Sequence, residues 1–163
     1  MKRLIYLAGV ALVATLLLTA CSSDGDNTPT PPTPPTPEKT EPAEGTDQRP
    51  TWQAPDYSAF EGMTMVVQIG IQEELQPYVS ANDLMCAQLK GEVRALGTLH
   101  ETAGQYYFPL SILGNSSEGA VTLKYYCDKL HRIFTVEGWK KFDSTILPTQ
   151  GGEPYEVKFY TGD

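Results

Sequence analysis

Asp83, Glu92 and Arg94 form the polar cluster with the most chemical promise in this chain. Glu92 and Arg94 lie two apart, so on a strand they share one face. A hairpin turned at Lys90-Gly91 is expected to bring Asp83 across from them. Two carboxylates held in that way are the equipment of a glycosidase, one serving as acid and the other as base or nucleophile. A hydrolase using Asp83 and Glu92 is therefore one expectation. The preferred one is a structural ion pair, because paired charges on a hairpin are common and catalytic ones are rare. Other chemistry has thinner support. His100 and His131 are the only histidines, and neither stands in H-E-x-x-H or a similar ligand spacing. His131, between Leu130 and Arg132, reads as an outward strand position. No G-x-S-x-G elbow presents a serine. Asp24-Gly25-Asp26-Asn27 begins like a calcium loop but lacks the spacing and closing Glu of an EF-hand. No catalytic residue, metal or cofactor is expected.

Aromatic residues give the hint of a ligand. The chain holds nine Tyr and two Trp, and Tyr107, Tyr126, Tyr160 and Trp139 fall on or near outward-facing positions. Such rings stack on the apolar face of a sugar, and an exposed apolar patch equally marks a protein interface. The plainer reading is packing across neighbouring strands.

These side chains must be positioned by strands, because the hydrophobic period from residue 51 onward is two. Met63, Met65, Val67, Ile69 and Ile71 alternate with Thr64, Val66, Gln68 and Gly70. Similar alternation runs through 85–90, 106–112 and 121–127, with further candidate strands at 92–98, 130–137 and 154–161. Alternation of this kind means one buried face per strand. Turn signals separate the runs: Lys90-Gly91, Gly97 with Gly104, the stretch 114–119, and Gly151-Gly152. Pro109, inside a strand, predicts an edge or a bulge. No amphipathic helix of useful length is seen. The expected fold is all-β, a single antiparallel β-sandwich, Ig-like with about seven strands.

The first fifty residues are of a different kind. Lys2 and Arg3 precede an uncharged, mostly apolar run, Leu4 to Leu18, closed by Thr19-Ala20-Cys21. That is the anatomy of a secretory signal, too short for a transmembrane helix. Leu18-Thr19-Ala20-Cys21 resembles a bacterial lipobox, which implies cleavage between Ala20 and Cys21 and lipid on Cys21. Acyl chains anchor firmly when there is more than one of them. Residues 1–20 are thus read as a lipoprotein signal peptide, and 21–50 as the lipidated Cys followed by a disordered Pro/Thr-rich stalk. In Thr28–Pro37 the prolines remove ladder donors and favour extended polyproline structure. The tract reads as a spacer, with a docking ligand or an O-glycosylated stretch as alternatives. Residues 51–163 form the β-sandwich domain. Removal of Lys2 and Arg3 takes the net charge from −8 to −10. An acidic chain without a basic stripe disfavours nucleic acid and an electrostatic grip on anionic lipid.

Two further resemblances narrow the address. Ser22-Ser23-Asp24-Gly25-Asp26 lacks an Asp at the second mature position. It resembles the acidic stretch after the lipidated Cys of surface-exported Bacteroidetes lipoproteins. Asp83-Leu84-Met85-Cys86-Ala87-Gln88-Leu89-Lys90-Gly91-Glu92-Val93-Arg94-Ala95 resembles a hairpin of small, uncharacterised β-sandwich modules in secreted proteins and lipoproteins of the same group. Those modules read Asp-Glu-x-Ala-Ala-Phe, a turn, then Glu-Cys-Arg-Gly. Asp83, Ala87, Glu92 and Arg94 match, whereas Cys86, Gln88, Val93 and Ala95 depart. Val121–Tyr126, Trp52 and Met63-Thr64 also fit the pattern. The resemblance implies a β-sandwich on a surface lipoprotein and implies no reaction. With Cys21 lipidated, Cys86 and Cys127 remain. Alternation puts Cys127 inward and Cys86 outward, and Cys86 stands where the resembling modules have Ala, which favours two buried thiols over a bridge.

Together these readings predict a non-enzymatic binding or accessory module, lipid-anchored in the outer membrane and facing the cell surface. Its expected partner is another surface protein or a host ligand. The alternative is a glycan, captured for a polysaccharide uptake system.

Overall fold

The computed structural model describes residues 41–58 and 60–162. The signal segment, Cys21 and the Thr28–Pro37 tract lie outside the described residues. Eight strands follow one another: β1 (Met63–Ile71), β2 (Leu84–Leu89), β3 (Glu92–Thr98), β4 (His100–Thr102), β5 (Gln105–Gly114), β6 (Ala120–Cys127), β7 (Arg132–Lys141) and β8 (Tyr155–Val157). They form two four-stranded sheets, sheet I in the order β4-β5-β1-β8 and sheet II in the order β3-β2-β6-β7. The fold is an all-β sandwich, as the alternation predicts.

Alternating apolar residues make the core between the sheets. Met65, Val67 and Ile69 of β1 and Phe108, Leu110 and Ile112 of β5 meet Met85, Ala87 and Leu89 of β2 and Val121, Leu123 and Tyr125 of β6. The Tyr125 ring lies 5.8 Å from Phe108 and 5.6 Å from Phe159, centroid to centroid. Burial of this apolar face is the main force holding the sheets together.

Several boundaries differ from the sequence reading for identifiable reasons. The β1–β8 pair is parallel, while every other strand pair is antiparallel. A short β4 brings the strands to eight. A 3-10 turn at Glu73–Tyr78 buries Leu75 between β1 and β2. His131 is not a strand residue: it ends the tight turn into β7 with φ 44°, and its N–H donates to the Asp128 carbonyl at 3.3 Å. Ala103-Gly104 and Lys90-Gly91 both have positive φ at the two central positions, the hairpin geometry that matches strand twist. Gly97 is no turn. It lies buried in β3, where a Cβ would stand 2.8 Å from Leu110 Cδ2 and 2.9 Å from the Pro109 carbonyl oxygen. Its lack of a side chain lets β3 approach β5 closely.

Pro109 obeys the ladder rule. It opposes Gln68, whose N–H instead donates to the Pro148 carbonyl at 2.8 Å. The pair is therefore not hydrogen-bonded across β1 and β5, and the Pro109 nitrogen faces away from β1. On that side β4 pairs only with Gln105 to Tyr107, so the missing donor falls where β5 has no ladder partner.

The ordered contacts begin before residue 51. Gly45 N–H donates to the Leu130 carbonyl at 2.7 Å and Asp47 N–H to the His131 carbonyl at 2.8 Å. The boundary expected at 51 thus moves toward the N terminus, because these residues satisfy backbone groups at the start of β7.

Candidate binding surface

Asp83 and the Glu92–Arg94 pair do not meet. In the β2–β3 hairpin Leu84 pairs with Thr98 and Leu89 with Glu92, so Asp83 lies at the open end and Glu92 beside the turn. At about 3.3 Å rise per residue the two carboxyls are roughly 20 Å apart along the hairpin. A glycosidase needs its pair within about 5–9.5 Å. The register, set by Lys90-Gly91 as the turn, is what separates them.

Asp83 is instead a buried knot, 1% exposed. Its Oδ1 accepts hydrogen bonds from Ser80 Oγ at 3.1 Å and Asp128 N–H at 2.9 Å. Its Oδ2 accepts from Ser80 N–H at 3.1 Å and the Tyr125 hydroxyl at 2.7 Å. With four donors on four acceptor positions, the carboxylate joins the loop before β2 to the end of β6. Burial, then the Asp83 charge, pushes the Tyr125 phenol above its ordinary value. Cys127 donates to the Tyr78 carbonyl at 3.5 Å. Its thiol is also pushed up, mainly by burial.

Arg94 binds Glu92 at 3.0 Å and Glu118 at 2.8 Å, and its guanidinium lies 5.6 Å from the Phe60 ring centroid. Glu118 also accepts from Asn115 N–H at 2.6 Å. The cluster ties β3 to the β5–β6 loop. Glu118, three residues past Asn115, is the partner that sequence reasoning missed; nothing in the spacing of β3 points to a loop so distant in sequence.

The four candidate aromatics do not share a platform. Tyr126 points away from the inter-sheet core yet is only 2% exposed, with its hydroxyl 3.5 Å from Asp128 Oδ1. Trp139 follows Gly138, φ 64°, in a bulge of β7 where the register against β6 shifts. The bulge turns its ring edge-on to Tyr155 at 5.6 Å, with Lys140 Nζ over both rings. Tyr160 meets Phe134 edge-on at 6.5 Å and exchanges backbone hydrogen bonds of 2.8 Å with the Gln72 amide. It borders a polar cleft of about 530 Å³ with Glu73, Glu74, Glu156 and Lys158. Tyr107 alone stands on an open sheet face.

The two outer faces of the sandwich are treated differently. That of sheet II is crossed by residues 43–58 and Phe60. Arg132 donates to the Ala43 carbonyl at 3.4 Å, Ile133 N–H to Asp47 Oδ2 at 2.7 Å, and Arg49 to the Asn82 carbonyl at 2.5 Å. Phe60 reaches Arg94 on β3. The outward residue Cys86 is 0% exposed under this cover. Burial pushes its thiol from the ordinary 9.0 up to about 12, against the pull of Lys124. Cys86 and Cys127 are two separate buried thiols.

Among the described residues the outer face of sheet I is open over its middle, although Leu113, opposite Thr64 at one end, is only 4% exposed. Val66 is 42% exposed, and Thr64 and Ser111 are exposed. The register aligns His100, Tyr107, Gly70 and Glu156 in one row across all four strands. The Tyr107 ring lies 5.7 Å from the His100 ring, and its hydroxyl 3.4 Å from Thr102 Oγ1. Among the described residues no group of three His, Cys, Asp or Glu side chains is placed to hold a metal.

Fold and surface define an all-β sandwich with one covered and one open face. No family, curated protein or solved structure matches this chain.

Proposed function

We propose that this chain is a lipid-anchored cell-envelope protein whose sandwich is a non-enzymatic binding module, engaging another surface protein or a host ligand through the outer face of sheet I. One observation carries the reading: residues 43–58 and Phe60 cover the outer face of sheet II, while among the described residues the middle of the outer face of sheet I, around Val66 and Ser111, stays exposed. An exposed sheet face with Val66 and Tyr107 among small polar neighbours is suited to docking. The carboxylates best placed by sequence for catalysis serve structural bonds, which supports a binding role over a hydrolytic one. A second reading, a glycan ligand for an uptake system, is favoured by the His100–Tyr107–Gly70–Glu156 row, because two aromatic rings and a carboxylate flank an open glycine there.

The anchor rests on Lys2-Arg3, the apolar run and Ala20-Cys21, and on the resemblance to surface lipoproteins of the Bacteroidetes. It places the module on the outer membrane, held by lipid and facing outward. In the test, intact cells carrying the native chain or Cys21→Ala are treated with external protease, and partners are captured with native and Val66→Arg/Ser111→Arg chains. Surface loss of the native protein, together with a stoichiometric partner that the double variant fails to capture, is the expected result. Full protection behind an intact outer membrane would contradict the outward address. Equal capture by the double variant would contradict the docking face.

A further inference from the structure

We infer that the outer face of sheet I holds a saccharide subsite, a groove floored by Gly70 that takes a neutral pyranose ring. The inference rests on the binding-module reading and names the ligand class of its open face. It starts from a glycine that the backbone does not require. Gly70 lies inside β1, outside the positive-φ set. A Cβ there would meet Pro154 Cβ at 3.4 Å and the Tyr155 carbonyl oxygen at 3.6 Å, both ordinary contacts. Neither turn geometry nor crowding excludes a side chain. A glycine in a strand interior weakens the strand and marks places where a ligand approaches the backbone closely.

What surrounds that floor suits a sugar. The groove, about 210 Å³, lies at the end of sheet I where β1 runs into the 3-10 turn, lined by Gly70, Gln76, Gln105, Glu153, Pro154 and Glu156 with Ile71 and Tyr106 from the core side. It is smaller than the roughly 300–1,000 Å³ of a drug-sized pocket and so fits a single ring. Gln105 can both donate and accept, the Gln76 amide, whose Nε2 also donates to the Ile71 carbonyl at 3.3 Å, keeps its oxygen and one N–H for a ligand, and Glu153 and Glu156 accept from hydroxyls. Vicinal hydroxyls, which both donate and accept, match this mixture. Pro154 and the Tyr106 ring in the lining offer apolar surface to the ring's C–H face. Tyr107 leans over β4, toward His100 and Thr102, and leaves the Gly70 floor open. Two carboxylates repel uronic or sulfated sugars, which restricts the ligand to neutral rings. A basic peptide is the competing occupant. It would use the carboxylates, but not the two amides or the ring-sized gap.

The complete mature chain, solubilised in detergent, is titrated with cellohexaose, mannohexaose, chitohexaose and hexalysine while backbone amide shifts are followed. At least one neutral oligosaccharide is expected to move the amides of Gly70, Gln105 and Glu156. Gly70→Val and Gln105→Ala should each weaken that binding by about tenfold, or roughly 1.4 kcal/mol, with the thermal midpoint of neither variant lowered. No shift with any of the oligosaccharides would overturn the inference, as would a shift insensitive to both variants. Hexalysine moving these amides while the sugars do not would make the groove a basic-peptide site. A protein partner captured through Val66 and Ser111, without sugar at Gly70, overturns the subsite and leaves the binding module standing. If the open face binds nothing at all, both fail.

Discussion

The two outer faces of this sandwich are built from the same alternation and end in opposite states. On sheet II the outward positions carry an apolar band, Cys86 pairing with Leu96 and Tyr126 standing between Leu84 and Ile133, beside the polar residues Thr122, Lys124 and Thr135. On sheet I they are mostly small or polar: Thr64, Gln68, Gly70 and Ser111, with Val66 among them. An apolar band on an outer face needs cover, and residues 43–58 and Phe60 supply it; a polar face does not, and it stays open. Outward composition therefore separates a face the protein keeps for its own folding from one it offers to others. By that measure, stability should reside on sheet II and binding on sheet I.

Substitutions can break or sharpen this contrast, beginning with the largest effect. Asp83→Ala removes four hydrogen bonds at the corner where Arg49 reaches Asn82. Bonds to a charged group contribute about 1.5–3 kcal/mol each and the orphaned Tyr125 hydroxyl adds a penalty, so a loss of about 3–5 kcal/mol is expected in urea unfolding. Tyr126→Ala empties a ring-sized space under the cover and should cost about 3 kcal/mol; a loss under half of that would mean the face is less covered than described. Asp47→Ala should cost only about 1 kcal/mol, because its one carboxylate bond, to Ile133 N–H, is exposed to solvent. It should also loosen the cover and speed alkylation of Cys86, which in the native protein is expected to resist iodoacetamide at neutral pH. On the open face, Val66→Thr and Ser111→Ala should change stability by no more than about 0.5 kcal/mol. A larger destabilisation there would remove the distinction between the faces.

The thiol adds a pH dependence with a definite sign. Folding raises the Cys86 pKa from 9.0 to about 12, so the folded state holds a proton that the unfolded state gives up first. Its contribution is complete below the unfolded value and is lost as pH climbs through that window. Tyr125 and Cys127 are shifted in the same direction. Chemical denaturation should show stability falling above about pH 9, and Cys86→Ala should flatten part of that fall.

Much of the fold was legible because period-two patterning is a property of single strands. Met63–Ile71, Glu92–Thr98 and Val121–Cys127 follow it closely, and Lys90-Gly91 marks its turn. What escaped depended on partners distant in sequence. Nothing near Gly97 says that β5 will press against it, so it looks like a turn glycine. Asp83 looks like a partner for Arg94 until the hairpin register puts them at opposite ends. Tyr126 is outward by alternation, and only the path of residues 43–58 and Phe60 shows that outward is not exposed. The composition of that segment and its approach, with Glu41, Glu44 and Asp47, resembles a solvated linker, and its partners, Asn82, Leu130 to Ile133 and Arg94, lie far away in sequence. Of the candidate site, Tyr107 was readable; its row with Gly70 and Glu156 exists only through cross-strand register.

Site-specific photo-crosslinking on intact cells tests the central claim most directly. A photoreactive residue is placed at Val66 on the open face and, separately, at Thr122 on the outer face of sheet II. Adducts from position 66 and none from position 122 are predicted. Adducts from position 122 alone would mean that the chain engages its partner through the face described here as covered, and would contradict the account.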